Sequence, residues 1–85
     1  MSEGEIEAFL YDQLAQQWGK PLAAVYAQVG SSGEIDSLQG LELTLAIAER
    51  YGIHLADDEL TSKLLRSILR LVNVVASKVA DNTRK

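Results

Sequence analysis

The sequence predicts an all-α domain. Apolar residues recur at helical spacings of three and four over residues 3–18, 36–51 and 57–80. Gly and Pro residues fall between the first two stretches, and 47% of the 85 residues are apolar, which is typical of one small globular domain. We place that domain at residues 1–80 and expect residues 81–85 to form a polar, frayed tail.

The first predicted helix covers residues 3–18. Ser2 and Glu5 have the spacing of a capping box, in which each side chain bonds to the other's backbone N–H group. Phe9 and Trp18 share one face of this helix with the aliphatic residues Ile6, Leu10 and Leu14. Core packing is the role that this face favours for Phe9 and Trp18, and lining a ligand pocket is the alternative.

Residues 20–35 form the long first connection, for which two structures are open. In one, Pro21 begins a short helix that Gly30 ends. In the other, a long loop is held down by the apolar side chains of Leu22, Val25, Tyr26 and Val29. Because structureless stretches of this length are unusual in compact domains, we expect at least a turn or two of helix.

The next helix begins at Asp36, which is a good N-cap because its carboxylate accepts hydrogen bonds from the free N–H groups of the first turn. Gln39 lies three residues later and completes a predicted capping box. Ser37 then lies at the start of the helix, where its hydroxyl is near solvent. The positive end of the helix dipole lies there too and favours a phosphate.

This helix has more apolar residues than one core-facing stripe needs. One line consists of Leu43, Ala46, Ile47 and Tyr51, and the second consists of Leu38, Leu41, Leu45 and Ala48. A chain of this length is too short to bury both lines fully. The second line is therefore a candidate contact surface, flanked by the negative charges of Glu42 and Glu49; packing against residues 20–35 is the alternative.

After Gly52, a short extended connection alternates apolar residues with His54. The acidic run Asp57-Asp58-Glu59 follows and suits a helix start, because the helix dipole favours negative charge there. One helical phase then continues to about Ala80, through Leu60, Leu64, Ile68, Leu71, Val72, Val75 and Val79. This region is either one long helix or two, with Ser67 capping the second after a break near residues 65–66.

The composition excludes several kinds of protein. There is no cysteine, so disulfides and thiolate metal sites are excluded, and one histidine cannot make a histidine-based zinc site. The acidic run lacks the ligand spacing of a calcium loop. The net charge of −4 argues against nucleic-acid binding. Without a membrane-length apolar run or a signal-peptide core, we expect a cytoplasmic protein.

No set of residues in the sequence supports catalysis. Ser37 lacks an obvious base, because His54 is the only histidine and lies beyond the far end of the helix. The glycines near residues 30–33 lack the lysine and the spacing of a phosphate-binding loop. We therefore expect that the protein is not an enzyme.

Around Asp36-Ser37-Leu38 the chain resembles the acyl carrier proteins, small acidic four-helix carriers of fatty-acid and polyketide synthesis. The resemblance covers roughly residues 30–80. It continues through Leu41-Glu42-Leu43, Ala46-Ile47, Glu49-Arg50-Tyr51-Gly52-Ile53 and Leu55-Ala56-Asp57-Asp58-Glu59. It implies a small four-helix bundle with three long helices, one short helix and a long first connection.

The resemblance also implies a function. A phosphopantetheinyl transferase would attach 4'-phosphopantetheine from coenzyme A to Ser37, between Asp36 and Leu38, and the thiol of that group would carry acyl chains as thioesters. Acyl-transferring or condensing enzymes would dock through basic patches onto a surface made of Leu38, Leu41, Glu42, Leu45 and Glu49. His54 is a solvated loop residue, or it contacts the prosthetic arm or a partner. We expect a discrete, monomeric carrier.

The chain departs from the family pattern at several positions. Glu34 occupies the position of a usual glycine three residues before the serine, and Gln39 replaces a frequent acidic residue. Gly40 lowers the helix propensity of the first turn, and Ala56 replaces a common proline. These departures favour a specialised carrier over one of general fatty-acid synthesis.

Two rival interpretations remain. Peptidyl and aminoacyl carriers share the fold and the attachment chemistry. A small helical interaction module would instead hold a partner helix along Leu38, Leu41 and Leu45 and carry no prosthetic group, and Ser37 would then be an ordinary serine at a helix start.

Overall fold

The computed structural model describes residues 3–83, and it confirms the all-α class. The helices are α1 (Glu3–Trp18), α2 (Leu22–Val29), α3 (Ser37–Tyr51), α4 (Ser62–Leu65) and α5 (Ile68–Thr83), with a 3₁₀ turn at Asp57–Glu59. Residues 3–83 contain no strand; one isolated antiparallel bridge pairs Glu34 with Ser67. The first two long helices, α1 and α3, are as predicted, whereas the third, α5, begins only at Ile68. Two short α-helices accompany the three long ones where one was expected.

The three long helices meet in one aliphatic core. Helix α1 packs against α2, α3 and α5, and α3 also packs against α4 and α5. The largest fully buried side chains are Ile6, Leu10, Leu14, Val25, Leu43, Ile47, Ile68, Leu71 and Val75. Phe9 and Trp18 are half-buried at the edge of this core, where the Phe9 ring lies edge-on to Tyr51 at a centroid distance of 5.5 Å. Core packing, the favoured role of Phe9 and Trp18, is confirmed.

The first connection contains a helix, so the long-loop alternative is wrong. Pro21 precedes α2 in an extended conformation, with φ −69° and ψ 155°. Gly30 ends α2 with a positive φ of 76°, and its N–H donates to the Tyr26 carbonyl at 2.9 Å. The Tyr26 ring stacks on Tyr11 with the ring centroids 4.1 Å apart, which holds α2 against α1.

The region after residue 60 consists of two helices, so the one-helix alternative is wrong. The break lies at Arg66, and Ser67 caps α5 as proposed, since its Oγ accepts from the Arg70 N–H at 3.3 Å. Helix α5 continues to Thr83, three residues beyond the expected end. Residues 81–83 of the expected polar tail thus belong to α5, and the fraying of that tail stays a prediction. Ser2, with its predicted capping box, and residues 84–85 lie outside the described residues.

The loop before α3 is fastened to the break between α4 and α5. The Ile35 N–H donates to the Arg66 carbonyl at 2.8 Å, and the Ile68 N–H donates to the Gly33 carbonyl at 2.9 Å. Gly33 has a positive φ of 69°, a conformation that favours glycine. These two bonds fix the chain just before Ser37.

Gly40 allows α3 and α4 to approach closely. A Cβ built on Gly40 would lie 1.8 Å from the carbonyl oxygen of Leu65 and 2.7 Å from its Cα. Real Cβ atoms do not come that near to backbone, so only glycine fits at this crossing. The glycine that lowers helix propensity is therefore required by packing.

We expect Gly40→Ala to destabilise the protein by about 1–3 kcal/mol, the usual cost of overpacking, although alanine favours helix by up to about 1 kcal/mol. Urea unfolding followed by circular dichroism measures the change. The control is Gly4→Ala at an exposed position of α1, which we expect not to destabilise the protein. A Gly40→Ala protein as stable as the wild type would contradict the close approach.

Glu59 links the 3₁₀ turn to α5. Its Oε1 accepts from the Ala56 N–H at 2.8 Å and lies 3.0 Å from Lys78 Nζ. The backbone bond first, and then the Lys78 ammonium, hold the pKa of the Glu59 carboxyl below its usual value. Folding thus favours the charged form of the Glu59 carboxyl. Its contribution to the free energy of unfolding is complete above the pKa of a glutamate in the unfolded chain, and it is lost as the pH falls through the lower pKa of the folded protein.

We expect Glu59→Gln to lower the free energy of unfolding at pH 7, and the difference from wild type to shrink as the pH is lowered below about 4, where unfolded glutamate becomes protonated. Chemical unfolding at a series of pH values measures this. Glu42→Gln, on the exposed face of α3, serves as the charge-matched control. If the difference in free energy of unfolding between the wild type and Glu59→Gln did not vary with pH, this role of Glu59 would be contradicted.

Candidate functional site

Ser37 is the first residue of α3 and is half-buried. Its hydroxyl makes no hydrogen bond to any residue of the described range. The preceding Asp36 is extended, with φ −67° and ψ 143°, and its Oδ1 accepts from the Leu38 N–H at 3.0 Å. The predicted N-cap is confirmed, and it leaves the Ser37 oxygen unengaged at the positive end of a 15-residue helix.

The predicted capping box of Asp36 and Gln39 does not form. Gln39 Oε1 is buried and has no hydrogen-bond partner among the described residues. The residue lines a cavity of about 410 Å³ with Trp18, Val29 and Asp36, so its side chain lies towards α1 and α2 rather than back over the cap. Trp18 thus lines a cavity in addition to packing at the core edge.

The second apolar line of α3 is exposed over Leu38, Leu41 and Leu45, a surface that we call the leucine face. The exposed fractions of these side chains are 60%, 39% and 65%. Packing of these leucines against residues 20–35 is therefore wrong; α2 packs against α1 instead. The opposite face of α3 is buried in the core through Leu43 and Ile47, as predicted.

Negative charge borders the leucine face. Asp36, Glu42 and Glu49 are all exposed on or beside α3. Such a surface attracts a basic partner at long range, and added salt weakens this attraction. The leucines supply apolar area that a partner can cover.

His54 lies away from Ser37. It is exposed between the buried residues Ile53 and Leu55, beyond the end of α3 at Gly52. A helix of 15 residues is roughly 22 Å long, which separates the imidazole from the serine hydroxyl. The structure therefore places Ser37, Asp36 and the leucine face together and leaves His54 out of that group.

Three cationic residues near the same helix start were missed from the sequence. Lys63, Arg66 and Arg70 line a cavity of about 610 Å³ whose wall includes Asp36. Lys63 lies on α4, Arg66 at the break and Arg70 on α5, so no single helical period joins them, and the sequence offers no pattern that could have found the group.

The described residues contain no cluster of three or more His, Cys, Asp or Glu side chains suited to a metal ion. Within the same range, no helix has the length and apolar character that crossing a membrane requires.

Comparisons with protein-family models, with curated proteins and with solved structures give no match. The function proposed below therefore depends on the chemistry of the α3 start and of the leucine face.

We expect Leu45→Ala to change the free energy of unfolding by less than about 0.5 kcal/mol, because the side chain is on the surface. Leu43→Ala, two residues earlier on the buried face, is the matched control and should cost about 2–5 kcal/mol. Urea unfolding of both variants measures the contrast. Equal losses in the two variants would mean that the leucine face is not a free surface.

Proposed function

We propose that this protein is an acyl carrier protein. Phosphopantetheine attached to Ser37 carries acyl groups as thioesters between partner enzymes of fatty-acid, polyketide or related lipid synthesis. A phosphopantetheinyl transferase loads the group: the Ser37 oxygen attacks the phosphorus of coenzyme A that bears the pantetheine arm, and its proton passes to a base of the transferase. A phosphodiester forms at Ser37, the pyrophosphate P–O bond breaks, and adenosine 3',5'-bisphosphate leaves. The carrier itself catalyses nothing.

The observation that carries the proposal is the free hydroxyl at the first residue of α3. Ser37 is half-buried rather than sealed in the core, and its oxygen has no partner among the described residues. A phosphodiester formed there lies at the positive end of the helix dipole, which favours its negative charge. The neighbouring loop is held by the Ile35 and Ile68 hydrogen bonds, so the serine is presented from a fixed position.

The leucine face supplies the second requirement of a carrier, which is a surface for several enzymes. Leu38 and Leu45 are more than half exposed and lie on the helix that begins at Ser37. With Glu42 and Glu49 beside them, they suit a partner that has an apolar contact ringed by basic residues. Docking on this face brings a partner close to the attached group.

The aliphatic core supplies a place for an acyl chain. Leu43, Ile47 and Leu71 are fully buried between α3 and α5. A chain that enters between these helices gains about 0.8 kcal/mol for each buried methylene group. Peptidyl and aminoacyl carriers use the same attachment chemistry with polar cargo, and they are the alternative carrier class.

The rival function is a helical interaction module without a prosthetic group. The exposed leucine face favours it as much as it favours a carrier, because a partner helix can bind along Leu38, Leu41 and Leu45. Ser37 distinguishes the two functions, since only the carrier needs its oxygen.

Incubation of the unmodified protein with coenzyme A, magnesium and a broad-specificity phosphopantetheinyl transferase tests the proposal. We expect intact mass spectrometry to show the gain of one phosphopantetheine group, and Ser37→Ala to abolish it. Ser62→Ala is the matched control, because Ser62 is likewise the first residue of a helix, α4. Its modification should equal that of the wild type.

An unmodified wild-type protein with several such transferases would favour the interaction module. A gain that persists in Ser37→Ala would show that the group is attached elsewhere. Circular dichroism of each variant confirms that the helices remain folded.

A further inference from the structure

A basic cavity lies beside the start of α3, and its lining includes neither Ser37 nor a residue of the leucine face. Lys63, Arg66 and Arg70 line it together with the hydroxyl residues Ser32 and Ser67. Its volume is about 610 Å³. In a chain of net charge −4 with eight Lys and Arg residues, three cations around one cavity are a local reversal of sign.

These three cations are not neutralised by ion pairs within the described part of the chain. Glu59 pairs with Lys78 at 3.0 Å, whereas Lys63, Arg66 and Arg70 have no carboxylate within 4.0 Å in residues 3–83. None of their side chains donates a hydrogen bond to a described residue. Their donors are therefore available to a ligand.

Two carboxylates, those of Glu34 and Asp36, also line the cavity and offset part of the positive charge. Asp36 directs one oxygen at the Leu38 N–H, at 3.0 Å, so that oxygen is engaged with the helix start. The cationic side chains outnumber the anionic ones, and the cavity stays positive on balance.

Both long helices that border the cavity begin at it. Asp36 caps α3, and Ser67 caps α5 by accepting from the Arg70 N–H at 3.3 Å. The two helix starts add positive dipole ends to the three cationic side chains. The backbone between the two helix starts is held by the bonds of Ile35 to Arg66 and of Ile68 to Gly33, so the two helix starts keep a fixed relative position.

We propose that this basic cavity binds a phosphate group. Arg66 and Arg70 present planar guanidinium groups, which bind phosphate oxygens in pairs, and Lys63 adds a third positive charge. The phosphate comes either from a free phosphorylated small molecule or from the phosphodiester tethered at Ser37, the residue after Asp36. Binding of the phosphodiester at Ser37 rests on the proposed function, whereas binding of a free phosphorylated molecule does not.

The test separates these sources by using Ser37→Ala, which cannot be modified at that residue. Backbone amide NMR shifts are followed while inorganic phosphate or coenzyme A is added, with sodium chloride at equal ionic strength as the reference. For a free source we expect saturable shifts at Gly33, Arg66 and Arg70, with a dissociation constant on the order of millimolar. For a tethered source we expect those shifts only in the modified wild-type protein, relative to the unmodified one.

Variants then identify the cations. Replacing both Arg66 and Arg70 by Gln should weaken the binding of added phosphate or coenzyme A on the order of tenfold or more. If the phosphate is instead the one attached to Ser37, the double replacement should remove the shifts that modification causes at the cavity. Arg50→Gln is the matched control, because Arg50 is an exposed arginine of α3 outside the cavity, and it should bind as the wild type does. Lys63→Gln, on α4, is a second variant that leaves the Arg66–Ser67 turn untouched.

The proposal is overturned if neither Ser37→Ala with added ligand nor the modified wild type shows shifts at the basic cavity. It is also overturned if Arg50→Gln weakens binding as much as the double variant does, because the effect would then be one of net charge. A protein that no transferase modifies loses the carrier function but leaves the free-phosphate arm of the test intact.

Discussion

The close contact of Gly40 with the backbone of Leu65 is the constraint on which the site depends. Because no Cβ fits there, α3 and α4 cross with their backbones almost touching. Helix α4 therefore ends against the first turns of α3, and the break at Arg66 comes next to the loop that leads into Ser37. The hydrogen bonds of Ile35 and Ile68 then join that loop to the break.

This arrangement gives the two sides of α3 different surroundings. The side of Leu43 and Ile47 is sealed by α1 and α5, whereas the leucine face has no helix over it among the described residues. Ser37 lies at the start of α3, next to Asp36 in the wall of the basic cavity. An attached phosphodiester would thus have the leucine face with its acidic border on one side and three cations on the other. The crossing of α3 and α4 at Gly40 therefore positions both the leucine face and the basic cavity.

The sequence predicted what depends on local pattern. The three long helices, the Asp36 cap and the exposure of Leu38 and Leu45 follow from apolar spacing and capping chemistry. What depends on tertiary contact does not follow from local pattern. In the sequence Gly40 only lowers helix propensity and Gln39 only has the spacing of a capping box, whereas in the fold Gly40 meets the Leu65 backbone and Gln39 lines a cavity with Trp18. The basic cavity joins residues from three separate segments, which no periodicity reveals before the chain is folded. The carrier chemistry of Ser37 itself stays a prediction.

Native-state hydrogen exchange at Ile35 and Ile68 tests most directly whether the loop before Ser37 is fastened as described. The Ile35 N–H donates to the Arg66 carbonyl at 2.8 Å and the Ile68 N–H to the Gly33 carbonyl at 2.9 Å. Helix α3 starts two residues after Ile35. We predict exchange slowed on the order of a hundredfold or more relative to the exposed Ser31, after correction for intrinsic rates. Exchange of these amides as fast as that of Ser31 would show that the two hydrogen bonds do not persist and that Ser37 has no fixed position.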